Sequence, residues 1–149
     1  MPKQRIPHIL HVDDDENDRE LFAYAFRRSG LGGELHSVAN AADALLFLNR
    51  LGRFVKAERP RLIIIDLSLP RLDGRQFLEV VRTNMNFRSI PVVVLTGSES
   101  YADMQRCRDL GVDDYVIKPQ TQHELIELIS SFQRWVVGSS SGIPVAPQD

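Results

Sequence analysis

Cysteine is almost missing from this chain. Cys107 is the only thiol among 149 residues, so no internal disulfide can form and no cysteine-based zinc site can be built, which suits a reducing compartment. The four histidines, at 8, 11, 36 and 123, show no metal-ligand spacing along the sequence. No apolar stretch approaches the roughly 20 residues needed to span a bilayer, and residues 1–8 hold charge and two prolines in place of a signal-peptide core. An excess of either charge is missing too. Eighteen Lys and Arg stand against 20 Asp and Glu, a net charge of −2, so no strong field favours nucleic acid or an anionic membrane. These absences point to a cytoplasmic protein that binds neither nucleic acid nor membrane. The length suits one domain, and 43% hydrophobic with 26% charged residues is ordinary globular composition.

What the chain does have is alternation. Short runs rich in Val and Ile, near 8–12, 34–38, 61–66, 91–96 and 114–117, read as strands buried on both faces. Between and after them, segments near 16–29, 40–52, 73–84, 99–110 and 121–137 read as amphipathic helices. Their apolar stripes include Leu21, Phe22, Ala25 and Phe26 in the first and Leu125, Leu128, Ile129, Phe132 and Val136 in the last. Asp73 with Gln76 and Thr121 with Glu124 have capping-box spacing, and Gly30 and Gly111 stop helices. Five βα units in succession predict a parallel sheet with helices on both faces. The basic connection at 52–60 is longer than such a unit needs and reads as a surface loop. From 138 to 149 the chain turns to Gly, Ser and Pro, as a flexible tail would, which leaves a domain over 6–137.

Four apolar runs end in residues with chemistry. Ile9–Val12 runs into Asp13, Asp14 and Asp15, Leu62–Ile65 into Asp66, Pro91–Leu95 into Thr96 and Gly97, and Tyr115–Ile117 into Lys118. In an open parallel sheet the carboxyl ends of the strands share one edge, and ligands bind there at the point where strand order reverses. In a 2-1-3-4-5 order that crevice lies between the first and third strands. Carboxylates crowded there repel one another, and a hard divalent cation such as Mg²⁺ relieves the repulsion. Asp66, alone at the end of a buried strand, is the candidate nucleophile toward phosphorus. Lys118 and Thr96 are candidates to hold phosphoryl oxygens.

The segments ILHVDDDEND, LIIIDLSLPRLDG, IPVVVLTG and GVDDYVIKP, in that order, resemble the response-regulator receiver domain of two-component signalling, over residues 6–137. The resemblance implies a flavodoxin-like (βα)5 fold in strand order 2-1-3-4-5. It implies that Asp66 is the phospho-acceptor. Mg²⁺ would be held directly by Asp14, Asp66 and the backbone carbonyl of Ser68, with Asp13 acting largely through water. Thr96 and Tyr115 become the switch pair, and the Lys118–Pro119 peptide is expected to be cis. Asp15 would be a helix cap and His11 a tolerated polar group. Small Ser68 and Ser98 would leave water access to the phosphorylated site. The connection at 52–60, the stretch RTNMNFRSIPVVVLT and the aromatic end of the last helix (Phe132, Trp135) look most like stand-alone receivers paired with phytochrome-type sensor histidine kinases. Such relatives dimerise through the face between the fourth and fifth helices, where Met104, Tyr115 and Ile117 fall. The implied protein is a phosphorylation switch, an enzyme only toward its own phosphoryl group, with no output domain of its own.

Three other functions compete. A flavin carrier of the same architecture needs a glycine- and hydroxyl-rich phosphate loop after the first strand, where this chain has Asp13-Asp14-Asp15-Glu16. An aspartyl phosphatase would use Asp13-x-Asp15 but expects Thr or Val where Asn17 stands. A receiver that serves only for docking would have lost site residues.

Overall fold

The computed structural model describes residues 6–66 and 72–136. Ser68, the side chain of Asp73 and the tail at 138–149 lie outside the described residues. Five strands, β1 (His8–Val12), β2 (Glu34–Val38), β3 (Leu62–Ile65), β4 (Val92–Thr96) and β5 (Asp114–Ile117), form one parallel sheet in the order β2-β1-β3-β4-β5. The helices between and after them are α1 (Glu16–Ser29), α2 (Ala41–Asn49), α3 (Leu72–Thr83), α4 (Tyr101–Asp109), α5 (Gln122–Ser131) and a short α6 (Gln133–Val136). The expected five-unit α/β architecture is what the chain adopts.

The central strands are buried on both faces because neither side of the sheet meets water. One face carries Leu10, Val12, Ile63, Ile65, Val92 and Val94 into a core with Phe47, Phe77, Leu78 and Val81 of α2 and α3. The other carries Ile9, Leu62, Ile64, Val93 and Leu95 against Phe22, Ala25 and Phe26 of α1 and Ile129 of α5. Register is set by this pattern, since a one-residue slip would exchange the two faces of a strand. With register fixed, Val12, Ile65, Thr96 and Ile117 end their strands at one edge.

Helix ends follow local chemistry, and several differ from expectation. Asp15 caps α1 by accepting from Asp18 N at 2.9 Å, and Thr121 caps α5 by accepting from Glu124 N at 3.1 Å. Helix α2 stops at Asn49 rather than 52 because Arg50 turns left-handed (φ 58) and its N–H closes back onto Leu46 and Phe47 carbonyls. The final helix is broken at Phe132, whose N–H bonds to Ile129 O at 3.0 Å while its ring stays in the core. Leu21, expected in the α1 stripe, is 45% exposed; Phe22, Ala25 and Phe26 fill the interface without it. No cis peptide occurs among the described residues. The Lys118–Pro119 bond is therefore trans, against the cis expectation; trans is the lower-energy isomer of an X-Pro bond.

The basic connection after α2 is docked, not loose. It forms a 3-10 turn at Gly52–Phe54, and Arg59 then donates to Asn86 O and, at 2.9 Å, to Ser89 Oγ. Arg82 does similar work from α3. Its guanidinium donates to Gly111 O (2.8 Å), Arg88 O (2.9 Å), Ile90 O (3.0 Å) and Asp113 Oδ2 (2.7 Å). Asp113 Oδ2 also accepts from Val92 N at 2.8 Å, so one ion pair starts both β4 and β5. Arg82→Ala should lower the unfolding free energy by about 2–3 kcal/mol in urea melts, because several carbonyls lose a charged donor together. Arg53→Ala, which breaks a surface pair with Asp43, should cost about 0.5 kcal/mol or less.

Candidate functional site

The site is built where β1, β3 and β5 end. Parallel pairing carries the chain directly from buried strand to exposed edge. Asp66 N donates to Val12 O at 2.8 Å and Lys118 N to Thr96 O at 2.7 Å. These two backbone bonds fix the first residue beyond β3 and beyond β5.

Three carboxylates and one ammonium converge there. Lys118 Nζ lies 2.5 Å from Asp66 Oδ2, 2.7 Å from Asp18 Oδ2 and 3.7 Å from Asp13 Oδ2. Single oxygens of Asp13, Asp18 and Asp66 all fall within 4.8 Å of one another. The Asp13 and Asp66 side chains are 2% and 4% exposed, and Lys118 closes over them at 28%. Asp13 is held from the other side, accepting from Asp15 N at 3.0 Å, while its own carbonyl accepts from Arg19 at 2.7 Å. Three carboxylates against one ammonium leave a formal surplus of two negative charges. That surplus matches one divalent cation, and the donors are the hard oxygens that Mg²⁺ or Ca²⁺ prefers.

The electrostatics record this crowding. Burial pushes the Asp13 carboxyl up to about 7, against the hydrogen bond from Asp15 N–H, and the Asp66 charge adds to the rise. Asp66 is also raised, mainly by burial, although Lys118 pulls it down. Burial disfavours the Lys118 charge, but Asp18 and Asp66 outweigh that and hold the ammonium above the ordinary lysine range. Lys118 thus stays charged and is the shared counter-ion of the pocket.

Thr96 and Tyr115 meet through Ser98. Buried Thr96 accepts at Oγ1 from Ser98 N (3.1 Å), and the Tyr115 hydroxyl donates to Ser98 O (3.1 Å). Ser98 Oγ also pairs with Asp103 Oδ2 at 2.7 Å, tying the loop to the first turn of α4. A shift at Thr96 therefore has a short covalent and hydrogen-bonded route to Tyr115.

Sequence reasoning singled out Asp13, Asp14, Asp66, Thr96, Tyr115, Lys118 and Ser68. The structure brings Asp13, Asp66 and Lys118 into contact and joins Thr96 to Lys118 through the backbone. Asp14 follows on the same loop, exposed, and is not in the close carboxylate group. The residue that reasoning missed is Asp18. It lies in the first turn of α1, four residues after Asp14, where an acid reads from sequence as ordinary helix-start charge. His11 is fully buried, with its ring stacked on Phe22 at 4.0 Å between centroids. Burial, with Lys118 and Arg19 nearby, holds its pKa down to about 3, so it is a neutral packing group behind Asp13.

Residues 9–130 match the response regulator receiver domain family. The chain belongs to that family. Response regulator Rcp1 of Synechocystis is 32% identical over 125 residues, which are 84% of this chain and 85% of Rcp1. The phosphorylated cyanobacterial phytochrome response regulator RcpA has a similar structure, with a TM-score of 0.80 at 29% identity, covering 91% of this chain and 97% of RcpA. The Mn²⁺-bound form of Rcp1 matches with a TM-score of 0.76 at 29% identity, over 96% and 99% of the two chains. This receiver domain thus resembles phytochrome-associated regulators of comparable length and shares their fold.

The raised Asp13 carboxyl has a consequence for stability. Its folded pKa of about 7 lies above the ordinary 3.8, so its contribution to stability is complete at low pH and is lost as pH rises through 7. Asp13→Asn should stabilise the metal-free receiver at about pH 8, by on the order of 1 kcal/mol, and have little effect at about pH 4. Thermal melts in a chelator at both pH values measure this, and a variant less stable than wild type at the higher pH would contradict it.

Proposed function

We propose that Asp66 accepts a phosphoryl group from a sensor histidine kinase, with Mg²⁺ held beside it, and that the protein acts as a phosphorylation-dependent switch. The observation that carries this reading is the gathering of Asp13, Asp18 and Asp66 around Lys118 at the carboxyl edge of a parallel sheet. An Asp66 oxygen forms a bond to phosphorus as the bond to the donor nitrogen breaks. Lys118, already paired with that carboxylate, shifts to a phosphoryl oxygen. Thr96 supplies a hydroxyl donor to another oxygen. The metal ligands of this reading are Asp14, Asp66 and the Ser68 carbonyl, with Asp13 acting through water and Asp18 adding negative charge at the rim. Bound there, Mg²⁺ neutralises the surplus negative charge and lets a dianionic donor approach. The Mn²⁺-bound form of similar Rcp1 supports a divalent cation at this site.

Movement of Thr96 toward a phosphoryl oxygen would pull on Ser98 and so on Tyr115, changing the face formed by α4, β5 and α5. That face carries half-buried Met104 and Tyr115 and exposed Tyr101 and Ile117. It is the surface for a second copy of the chain or for a partner that reads the phosphorylated state. Likeness to Rcp1 and RcpA supports a phytochrome-type kinase as donor. Its chemistry is confined to gaining and losing its own phosphoryl group, and its place is the cytoplasm. Among the described residues no helix is long and apolar enough to cross a membrane.

Acetyl phosphate or beryllofluoride with Mg²⁺ should modify the wild-type protein at one site, read by intact mass and peptide mapping. Asp66→Asn should abolish modification, and Lys118→Ala should reduce it by at least about tenfold through loss of a charged contact. Labelling that survives Asp66→Asn but is lost in Asp13→Asn would replace this reading with the aspartyl-phosphatase one. Asp18→Asn should weaken Mg²⁺ binding about tenfold by calorimetry, since it removes a charge next to the cation. Unchanged affinity would take Asp18 out of the cation's environment.

A further inference from the structure

A second constellation lies at the opposite end of the sheet. β1 and β2 pair so that His8 is level with Glu34 and Leu10 with His36. Alternation along the strands then puts all three polar side chains on one face of the sheet. His8 Nδ1 and His36 Nε2 share a hydrogen bond of 3.0 Å, whose proton a bound metal ion would displace, and the ring planes are 15° from parallel. Glu34 Oε1 is 3.8 Å from the first nitrogen and 3.7 Å from the second. A point equidistant from three atoms at these separations lies about 2 Å from each, the length of a Zn–N or Zn–O bond.

The frame around these atoms is stiff. Glu34 N donates to Pro7 O at 2.9 Å, and Arg61 N donates to His8 O at 2.8 Å. Gly33 passes so close that a Cβ there would sit 2.4 Å from Pro7 O, and its φ of +99 suits glycine alone. The His36 ring rests against Phe47 of the core, 5.0 Å between centroids. Solvent still reaches the group, because the three side chains are 18%, 57% and 29% exposed in chain order.

We propose that His8, Glu34 and His36 form a binding site for a divalent transition-metal ion of the Zn²⁺ class, with water in the remaining position. Two imidazoles, borderline ligands, beside one carboxylate favour Zn²⁺, Co²⁺, Ni²⁺ or Cu²⁺ over Mg²⁺, which prefers oxygen alone. The site is independent of the phosphorylation pocket. His8 opens β1 and Asp13 follows its end, about 16 Å away along the strand. A bound ion would clamp the edge strand β2 to β1.

Titration of the untagged, metal-stripped full chain with Co²⁺ in excess Mg²⁺ tests this. One equivalent should bind, give the intense visible bands of a four-coordinate ion, and be displaced by Zn²⁺. His8→Gln and His36→Gln should each weaken binding at least about tenfold, as befits loss of a direct ligand. Glu34→Gln, at an exposed position, should weaken it without disturbing the fold, even if a histidine variant proves unstable. Asp66→Asn should leave it unchanged. Absence of Co²⁺ binding in excess Mg²⁺, or binding that Glu34→Gln and the histidine variants leave intact, overturns the proposal. So does binding that Asp66→Asn removes.

Discussion

The Lys118 ammonium, set among three carboxylates at the open edge of the sheet, is the interaction on which the rest of the site depends. Asp13, Asp18 and Asp66 come from the β1–α1 loop, the first turn of α1 and the end of β3. Without a cation between them their charges would drive these segments apart, since unit charges about 4 Å apart repel strongly wherever water is partly excluded. Lys118 offsets only part of that repulsion. Burial adds to the cost of these charges and, as the larger cause, raises both the Asp13 and the Asp66 carboxyls above the ordinary range. The pocket thus has the charge and the oxygen donors that a divalent cation would need.

The same arrangement sets a crowded, charged rim on a packed aliphatic core. β1, β3 and β4 are buried on both faces by aliphatic side chains and leave little freedom to the residues that follow them. Asp66 and Lys118 are placed by backbone hydrogen bonds to neighbouring strands, so the pocket is positioned by the sheet rather than by its own attractions. Polar crowding that would unfold a loop is tolerated because the loop is anchored to a packed scaffold. In the proposed switch, Lys118 would change partner and Thr96 would turn, with the Ser98 backbone, bonded to both Thr96 and Tyr115, as the link between them.

Much of this was legible from residue order. Two-sided burial writes unbroken Val and Ile runs, and the residues that end those runs must share an edge in any parallel sheet, which is why Asp13, Asp66, Thr96 and Lys118 could be named from the sequence. Asp18 could not be separated from ordinary first-turn acids, because favourable charge at a helix N-terminus looks the same whether or not a lysine 100 residues away reaches it. Arg50 ended α2 early through a left-handed turn with no glycine to announce it. The 52–60 connection showed its purpose only when Arg59 was seen to hold the chain around residues 86–89. Linear spacing also hid the histidines, since strand pairing rather than sequence distance joins His8 to His36.

Placing two polar clusters at opposite ends of one strand has a physical logic. β1 is the centre of the fold, paired to β2 on one side and β3 on the other. Its carboxyl end gathers hard oxygen donors and a lysine; its amino end gathers imidazoles and one carboxylate. Ligand softness separates the two more reliably than affinity would, because a transition ion strong enough to enter the acidic pocket prefers nitrogen where nitrogen is offered. The aliphatic stretch between them, Ile9 and Leu10 with 0% exposure, admits neither water nor charge. Any influence of one end on the other must therefore pass through the rigid-body position of β1 against α1 and α2, and a fold packed this tightly on both faces of that strand leaves little room for such a shift.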